Sequence, residues 1–349
     1  MQETNRYHRQ EILKHFGLEG QQALARSSVL VIGAGGLGCP VLQYLVAAGV
    51  GRVCVVDDDI VDMTNLHRQV LFGQNDIGKS KAETAGEKLR ALNNTVTIEC
   101  KSIRVGKENA LSLISDFDLV MDCSDNFSTR YLVNDACVIK GKPLVYGAVS
   151  RFEGQVAMFN VDGSGNYRDL FPEIPDDDEV NNCAETGVLG VLPGVIGSLM
   201  ATEALKFLSG AGSVLSAQLL TYSALTNQFL LVSYSKSETY SGPVDEQAFM
   251  LTDYSVACSI PSFEQLMQQP DVVVVDVREH GELPEVEAFP HVKIPVGQLE
   301  GKLSELSGKR VVLFCRSGSR SSRAAKMLRE HGFEAYHVIL DLGGLASMI

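Results

Sequence analysis

The chain has no run of apolar residues long enough to cross a bilayer. Its longest uncharged apolar stretch, Val188 to Thr202, is broken by Gly190, Pro193, Gly194 and Gly197 and reads as a buried core helix. Basic residues are scarce: 30 Lys and Arg stand against 43 Asp and Glu, a formal charge of −13. That excess of acid excludes a general binder of nucleic acid or of anionic membranes, while leaving room for local basic pockets. The eight cysteines form no regular framework, and the first residues, MQETNRYHRQ, are polar and carry no secretory signal. Together these exclude a disulfide-stapled secreted domain and lead us to expect a reduced, cytoplasmic protein. There is no tryptophan, no internal repeat and no low-complexity tract, and 349 residues suffice for two domains.

What is present is organised around Val29 to Asp59. Val29–Ile32 reads as a buried parallel strand. Gly33-Ala-Gly35-Gly36-Leu-Gly38 is a glycine turn feeding a helix over Cys39–Ala48, with Pro40 near the first turn and Gly49 at the end. A second strand, Arg52–Val56, ends on Asp57. The glycines let backbone approach phosphate, the helix N-terminus offers free N–H groups, and Asp57 can accept from ribose hydroxyls. The alternative for such a turn alone is a tight structural bend in an α/β fold. The strand before it, the helix after it and the acid ending the next strand favour a nucleotide.

The remaining pattern alternates. Residues 1–28 read as two short helices, with Arg6-Tyr7-His8-Arg9-Gln10 in the first. Asp58 to Gln69 is a loop of acids and hydrogen-bonding groups, and Gly78-Lys79-Ser80-Lys81 opens a helix to Leu92. Strand Val96–Cys100, helix Glu108–Ile114, a strand ending in Asp122 and Asp125-Asn126, helix Phe127–Ile139 and strand Leu144–Tyr146 complete a doubly wound, mainly parallel sheet. Gln155–Val161 and Gln218–Val232 read as antiparallel strands that extend it. Between them Asp162 to Asn182 reads as a mobile polar loop, followed by Cys183 and a helix over Leu192–Leu208. Residues 236–255 read as a linker, with Gly242-Pro243 inside it. Beyond it, strands Val272–Val275, Val311–Phe314 and Ala335–Ile339 and helix Ser321–His331 form a separate small α/β unit.

A hydride-transfer enzyme needs a nicotinamide pocket, whereas an enzyme that cleaves a nucleoside triphosphate needs cations at the phosphates and a carboxylate for Mg²⁺. Parallel strands deliver their C-terminal ends to one crevice, so Gly36, Asp57, Arg68, Lys81 and Asp125 can converge there. Each alone could be a surface ion-pair partner; together they favour ATP over NAD.

In this order GAGGLG, VVDDD, TNLHRQ, GKSKA and DCSDN resemble the ThiF/MoeB adenylyltransferase family, bacterial relatives of ubiquitin-activating enzymes, over residues 1–235. The resemblance implies a Rossmann-like domain that uses ATP to activate the C-terminal Gly-Gly carboxylate of a ubiquitin-like sulfur carrier. By the same resemblance Gly36, Asp57, Thr64, Asn65, Leu66, His67, Arg68, Lys81, Asp125 and Asn126 would hold ATP and Mg²⁺, with Asp125 on the metal. Arg9 would reach the triphosphate of a second subunit, which implies a homodimer. Cys183, in Cys-Ala-Glu-Thr-Gly, would attack the activated or persulfidated carrier; the alternative is a buried core thiol, and its place after a mobile polar loop favours reactivity. The chain departs from the family at its zinc site. The two CxxC pairs would fall at Asn166–Asp169 and near Ser235–Ser241, and both lack cysteine. We therefore expect no structural zinc, with packing or hydrogen bonds holding the loop base.

Val311 to Arg323 reads as a buried strand, a short loop headed by Cys315, and a helix. Backbone N–H groups, the helix N-terminus and Arg316, Arg320 and Arg323 would favour a thiolate or persulfide. With Asp276-Val-Arg278-Glu279 and Gly343-Gly344, residues 256–349 resemble rhodanese domains. The seven-residue CRSGSRS loop fits the sulfurtransferases better than the larger loops of related phosphatases.

The two resemblances imply one pathway, as in fused molybdopterin-synthase adenylyltransferase/sulfurtransferases. The carrier is adenylated, a Cys315 persulfide displaces AMP, and Cys183 either resolves the acyl disulfide or forms an acyl intermediate first. A persulfide donor such as a cysteine desulfurase is implied, and neither nucleic acid nor membrane. The carrier could serve molybdopterin, thiamine, tRNA thiolation or another sulfur pathway. The alternatives are an NAD-dependent oxidoreductase, which leaves Arg68, Lys81 and the last domain without a use, and a nucleotide-binding sulfur-sensing scaffold without turnover.

Overall fold

The computed structural model describes residues 6–172, 187–252, 254, 267, 271–283, 285, 286, 289–315 and 319–339. They form two compact units, which divide after Tyr254. In the first, helices α1 (His8–Glu11) and α2 (Gly17–Arg26) precede β1 (Ser28–Ile32), α3 (Gly38–Ala48) and β2 (Arg52–Val56). The alternation continues through α4 (Lys81–Leu92), β3 (Thr97–Lys101), α5 (Lys107–Ser115), β4 (Leu119–Asp122), α6 (Phe127–Lys140) and β5 (Leu144–Ser150). Then come β6 (Glu153–Phe159), α7 (Tyr167–Leu170), α8 (Leu192–Ser209), β7 (Gln218–Ser223), β8 (Gln228–Ser233) and α9 (Glu246–Leu251).

All eight strands join one sheet in the order β3-β2-β1-β4-β5-β6-β7-β8. Pairing is parallel from β3 to β5 and antiparallel beyond, the expected doubly wound α/β sheet with an antiparallel extension. The central strands are apolar on both faces because helices cover both, and every residue of β4 is buried. Helix α3 carries no charge and packs on β1 and β2 beside α8, which covers β5 and β6. Gly197 of α8 admits that contact, since a Cβ there would stand 2.5 Å from Pro40 Cγ.

Three segments differ from the sequence reading. Strand β5 continues past Tyr146 to Ser150 and turns through Arg151, at φ 52°, directly into β6. Gly147 lies just past the expected strand end, and its missing side chain seats Met200 of α8, whose Sδ a Cβ would meet at 2.2 Å. The polar stretch from Asp162 is ordered at its start: Asn166 caps α7, and Tyr167 stacks in a buried cluster with Tyr131, Tyr146 and Phe171. Its polar residues bond the helix's own backbone, which composition alone does not reveal. Residues 173–186 lie outside the described residues. Within the span 236–255, α9 packs on α5 and α6 through the buried Phe249, and Lys107 Nζ donates to the carbonyls of Met250 (3.1 Å) and Thr252 (3.0 Å).

The second unit is a four-stranded parallel sheet in the order β10-β9-β11-β12. Its elements are β9 (Val272–Asp276), β10 (Val292–Lys293), α10 (Leu303–Leu306), β11 (Arg310–Cys315), α11 (Ser319–Glu330) and β12 (Ala335–Ile339). Among the described residues of both units, no helix is long and apolar enough to cross a membrane.

Gly49 closes α3 at φ 87°, and a Cβ there would lie 2.5 Å from Tyr7 Cζ. Gly141 closes α6 at φ 62° into open space. Gly49→Ala is expected to lower stability by about 2–3 kcal/mol and Gly141→Ala by about 1 kcal/mol in urea unfolding, the difference measuring the clash with Tyr7.

Candidate functional site

The strand order reverses between β1 and β4, and the crevice at their C-terminal ends is where open α/β sheets bind ligands. Gly33 leaves β1 at φ 96°, so close to β4 that a Cβ would stand 2.8 Å from the Cys123 carbonyl oxygen. A Cβ on Gly38, at the first turn of α3, would stand 2.0 Å from the Gly33 carbonyl oxygen. The turn is therefore bare backbone. A Cβ on Gly36 would meet Pro193 Cβ at 3.0 Å and Arg68 Cγ at 3.6 Å, so these two side chains wall the glycine turn. A Cβ on Gly190 would meet His67 Cδ2 at 3.0 Å, which brings the residues before α8 against the same loop.

Asp57 ends β2 and braces the turn. Its Oδ2 accepts from Ala34 N (2.7 Å) and its Oδ1 from Asp59 N (2.9 Å). The loop that follows folds on itself. Asp62 caps a short 3₁₀ turn by accepting from Thr64 N and Oγ1. The Thr64 carbonyl meets His67 Nδ1 (2.9 Å) and accepts from Arg68 Nη1 (3.2 Å), while Asn65 Oδ1 accepts from Arg68 Nη2 (2.7 Å). Leu66 packs against the core and anchors the turn. Lys81, 5% exposed at the start of α4, donates to Asp59 Oδ2 at 2.5 Å. Burial opposes the charge on Asp59, but the Lys81 ammonium outweighs it and holds the carboxyl below its ordinary range.

Asp59 and Gln69 are the residues sequence reasoning passed over. Three successive acids gave no means of choosing Asp59 as the partner of Lys81. Gln69, 4% exposed, has its amide nitrogen 3.7 Å from where a Cβ on Gly35 would stand, and among the described residues its Oε1 has no hydrogen-bond partner. A buried orphan acceptor beside a bare glycine turn fits a bound polar ligand such as a nucleotide. The only signal in sequence was its place immediately after Arg68.

On the β4 side, Asp122 is buried and accepts from Ser124 N (3.0 Å) and Oγ (2.6 Å). Burial pushes its carboxyl above the usual range, against the opposing pull of Arg130. Asp125 is exposed on the turn, and Asn126 caps α6 by accepting from Thr129 N at 2.8 Å. A lone carboxylate at this position fits Mg²⁺, which takes one or two carboxylates and completes its shell with phosphate and water.

Of the remaining predicted residues, Arg9 stands apart from this group. Arg9 lies exposed on α1, whose Gln10 donates to Ala48 O at the C-terminal end of α3. The length of α3, about 16 Å for its 11 residues, separates that end from the glycine turn. Cys183 lies outside the described residues.

The positions where the family would place zinc ligands are bonded differently. Asp169 Oδ2 accepts from Asn166 N (2.7 Å) and Nδ2 (2.9 Å), and its Oδ1 accepts from Ser237 N (2.7 Å), tying the two segments together. Beside them Arg168 makes a buried two-bond pair with Asp135 of α6, and Tyr240 Oη also donates to Asp135 Oδ1. This set offers no thiolate and does not fit a structural zinc ion.

In the second unit, Cys315 is buried at the end of β11, with Sγ 3.5 Å from Ser321 Oγ in α11. Asp276, which pairs with Phe314 in the sheet, holds the buried Arg278 guanidinium by both carboxylate oxygens. Arg320 is held twice by Glu282, at 2.7 and 2.6 Å. Gly343 and Gly344 lie outside the described residues, as do 316–318.

Residues 7–241 match the ThiF family and residues 259–346 the rhodanese-like domain. A sulfur carrier protein adenylyltransferase of Thermus thermophilus is 52% identical over 265 residues, covering 74% of this chain and 98% of that protein. Adenylyltransferase and sulfurtransferase MOCS3 of Xenopus laevis is 38% identical over 385 residues, covering 98% and 85%. A probable molybdopterin-synthase adenylyltransferase of Porphyra purpurea is 37% identical over 361 residues, covering 99% and 93%. Among solved structures, E. coli MccB with ATP superposes with a TM-score of 0.60 at 22% identity, over 69% of this chain and 74% of that one, a likeness of fold.

Asp135→Asn breaks a fully buried pair and is expected to lower stability by about 3–5 kcal/mol in urea unfolding. Lys81→Met, whose partner's carboxylate is 60% exposed, is expected to change stability by less than about 1 kcal/mol while weakening ATP binding in a titration.

Proposed function

The chain belongs to the ThiF family, with a rhodanese-like domain behind it, and on that premise we propose that it adenylates the C-terminal Gly-Gly carboxylate of a ubiquitin-like sulfur carrier and then delivers sulfur to it. The observation that carries the reading is the bare glycine turn at the sheet's reversal point, walled by Arg68 and Pro193. The backbone of the glycine turn at Gly36, where it leads into α3, receives phosphate, and Asp57 takes the ribose. Arg68, oriented by Asn65 and Thr64, and Lys81, oriented by Asp59, neutralise the triphosphate. Asp125 would hold Mg²⁺, which supplies further charge neutralisation at the phosphates. Asn126 keeps the Asp125 turn in place by capping α6. Arg9 acts across a homodimer, on the triphosphate bound by the other subunit.

A carrier carboxylate oxygen attacks the α-phosphorus, and the bond to pyrophosphate breaks. A persulfide on Cys315 then attacks the acyl carbon and AMP leaves. Cys183 attacks Cys315 Sγ of the acyl disulfide, which releases a thiocarboxylate and leaves a Cys183–Cys315 disulfide for a cellular thiol to reduce, or it displaces AMP first and forms a thioester that the persulfide then attacks. The persulfide is supplied by a donor such as a cysteine desulfurase, in the cytoplasm. The relatives' names, a sulfur carrier adenylyltransferase and a molybdopterin-synthase adenylyltransferase, support a carrier in such a sulfur pathway.

ATP–pyrophosphate exchange that depends on a small protein ending in Gly-Gly, and is lost in Asp125→Ala, is the expected result. Firm ATP binding without exchange would instead favour the scaffold. Labelled sulfur is expected not to reach the carrier in Cys315→Ala, and its arrival there without another sulfur source would remove Cys315 from the pathway. Because Asp169 and Ser237 bridge the loop base, a zinc chelator is expected to leave the thermal midpoint unchanged.

A further inference from the structure

Arg130 is a buried cation to which the nucleotide chemistry gives no task. It lies in the second turn of α6, 8% exposed, and among the described residues its Nε–H has no hydrogen-bond partner. One terminal nitrogen donates to Ser124 O at 3.5 Å, the long limit of a hydrogen bond. The guanidinium carbon lies 5.2 Å from the Phe127 ring centroid and 5.7 Å from that of Tyr146. Among the described residues, no carboxylate forms an ion pair with it within 4.0 Å; the carboxylate of Asp122 is bonded to Ser124 and acts on Arg130 only at longer range, beside Tyr167. A buried N–H left unmade costs free energy, and guanidinium presents a planar fork matched to a carboxylate or phosphate.

The place of Arg130 decides between those anions. Ser124, its carbonyl contact, immediately precedes Asp125 at the end of β4. Two anions must meet at that crevice, the triphosphate and the tail carboxylate. Arg68 and Lys81 stand on the β1–β2 side with the glycine turn, whereas Arg130 stands on the β4 side, between two rings. Phe127 and Tyr146 flank the guanidinium and leave room only for something slim, which suits a tail without side chains. Resting on the adenylation reading above, we propose that Arg130 is the binding residue for the terminal carboxylate of the Gly-Gly tail. It holds one oxygen while the other attacks the α-phosphorus. Pyrophosphate takes the electron pair of the broken bond, and no proton moves.

The test titrates two synthetic peptides ending in Gly-Gly, one with a free carboxylate and one with a C-terminal amide, into the full chain loaded with a non-hydrolysable ATP analogue. The free acid is expected to bind at least about tenfold more tightly than the amide. In Arg130→Met the gap closes, while the ATP analogue binds within about twofold of wild type; Arg130→Lys restores part of the gap. Equal binding of the two peptides to wild type, or no binding of the acid, overturns the proposal even if the variants fail to fold. A gap that survives in a folded Arg130→Met overturns it too and leaves Arg130 a prop for the Ser124 turn. Carrier-dependent exchange in wild type alongside either result confines the failure to Arg130, whereas absent exchange removes the adenylation reading itself.

Discussion

Where β1 and β4 part, two backbones pass with no room for a side chain between them. The Gly33 turn touches the Cys123 carbonyl, and Gly38 touches the carbonyl of Gly33, so the chain can enter α3 only as bare backbone. Everything else in the crevice depends on that approach. It aims the first turn of α3 at the opening, allows Asp57 to brace Ala34 from the next strand, and leaves a trough bordered by Arg68, Gln69 and Pro193.

An acidic protein must concentrate its cations where it needs them, and here it does so by holding each one. Arg68 is fixed by the Thr64 carbonyl and the Asn65 side chain, and Lys81 by Asp59. Groups held in advance need little reorganisation when negative charge develops, which is the condition for electrostatic catalysis. The second unit follows the same rule. Arg278 is clasped by Asp276, which ends β9, and Arg320 by Glu282 on the segment after it; β9 pairs with β11, the strand that ends in Cys315.

The loop base illustrates how one structural task can be met by different chemistry. Asp135–Arg168 is a buried ion pair, and Asn166, Asp169 and Ser237 carry the hydrogen bonds across. Such a clasp depends on every partner being satisfied, because the burial that strengthens each bond also makes a missing partner costly. It is anchored on α6, the helix whose first residues follow Asp125 and Asn126, so the loop base and the crevice share one rigid element.

By itself the sequence determined the alternation of strands and helices, the glycine turn, the acid on Asp57 and the thiol heading a strand-to-helix loop. These are local properties: apolar periodicity, glycine where backbone must approach, and helix caps such as Ser80 and Asn126. Tertiary structure alone decided which side chains meet. Only the folded chain selects Asp59 among three acids for Lys81, seats Met200 over Gly147, turns a polar stretch into the capped α7, and leaves the buried Gln69 and Arg130 each with a polar atom unpaired. The physical reason is that a strand or helix is specified by neighbours a few residues away. Burial and pairing are specified by residues that the chain reverses and crosses to bring together.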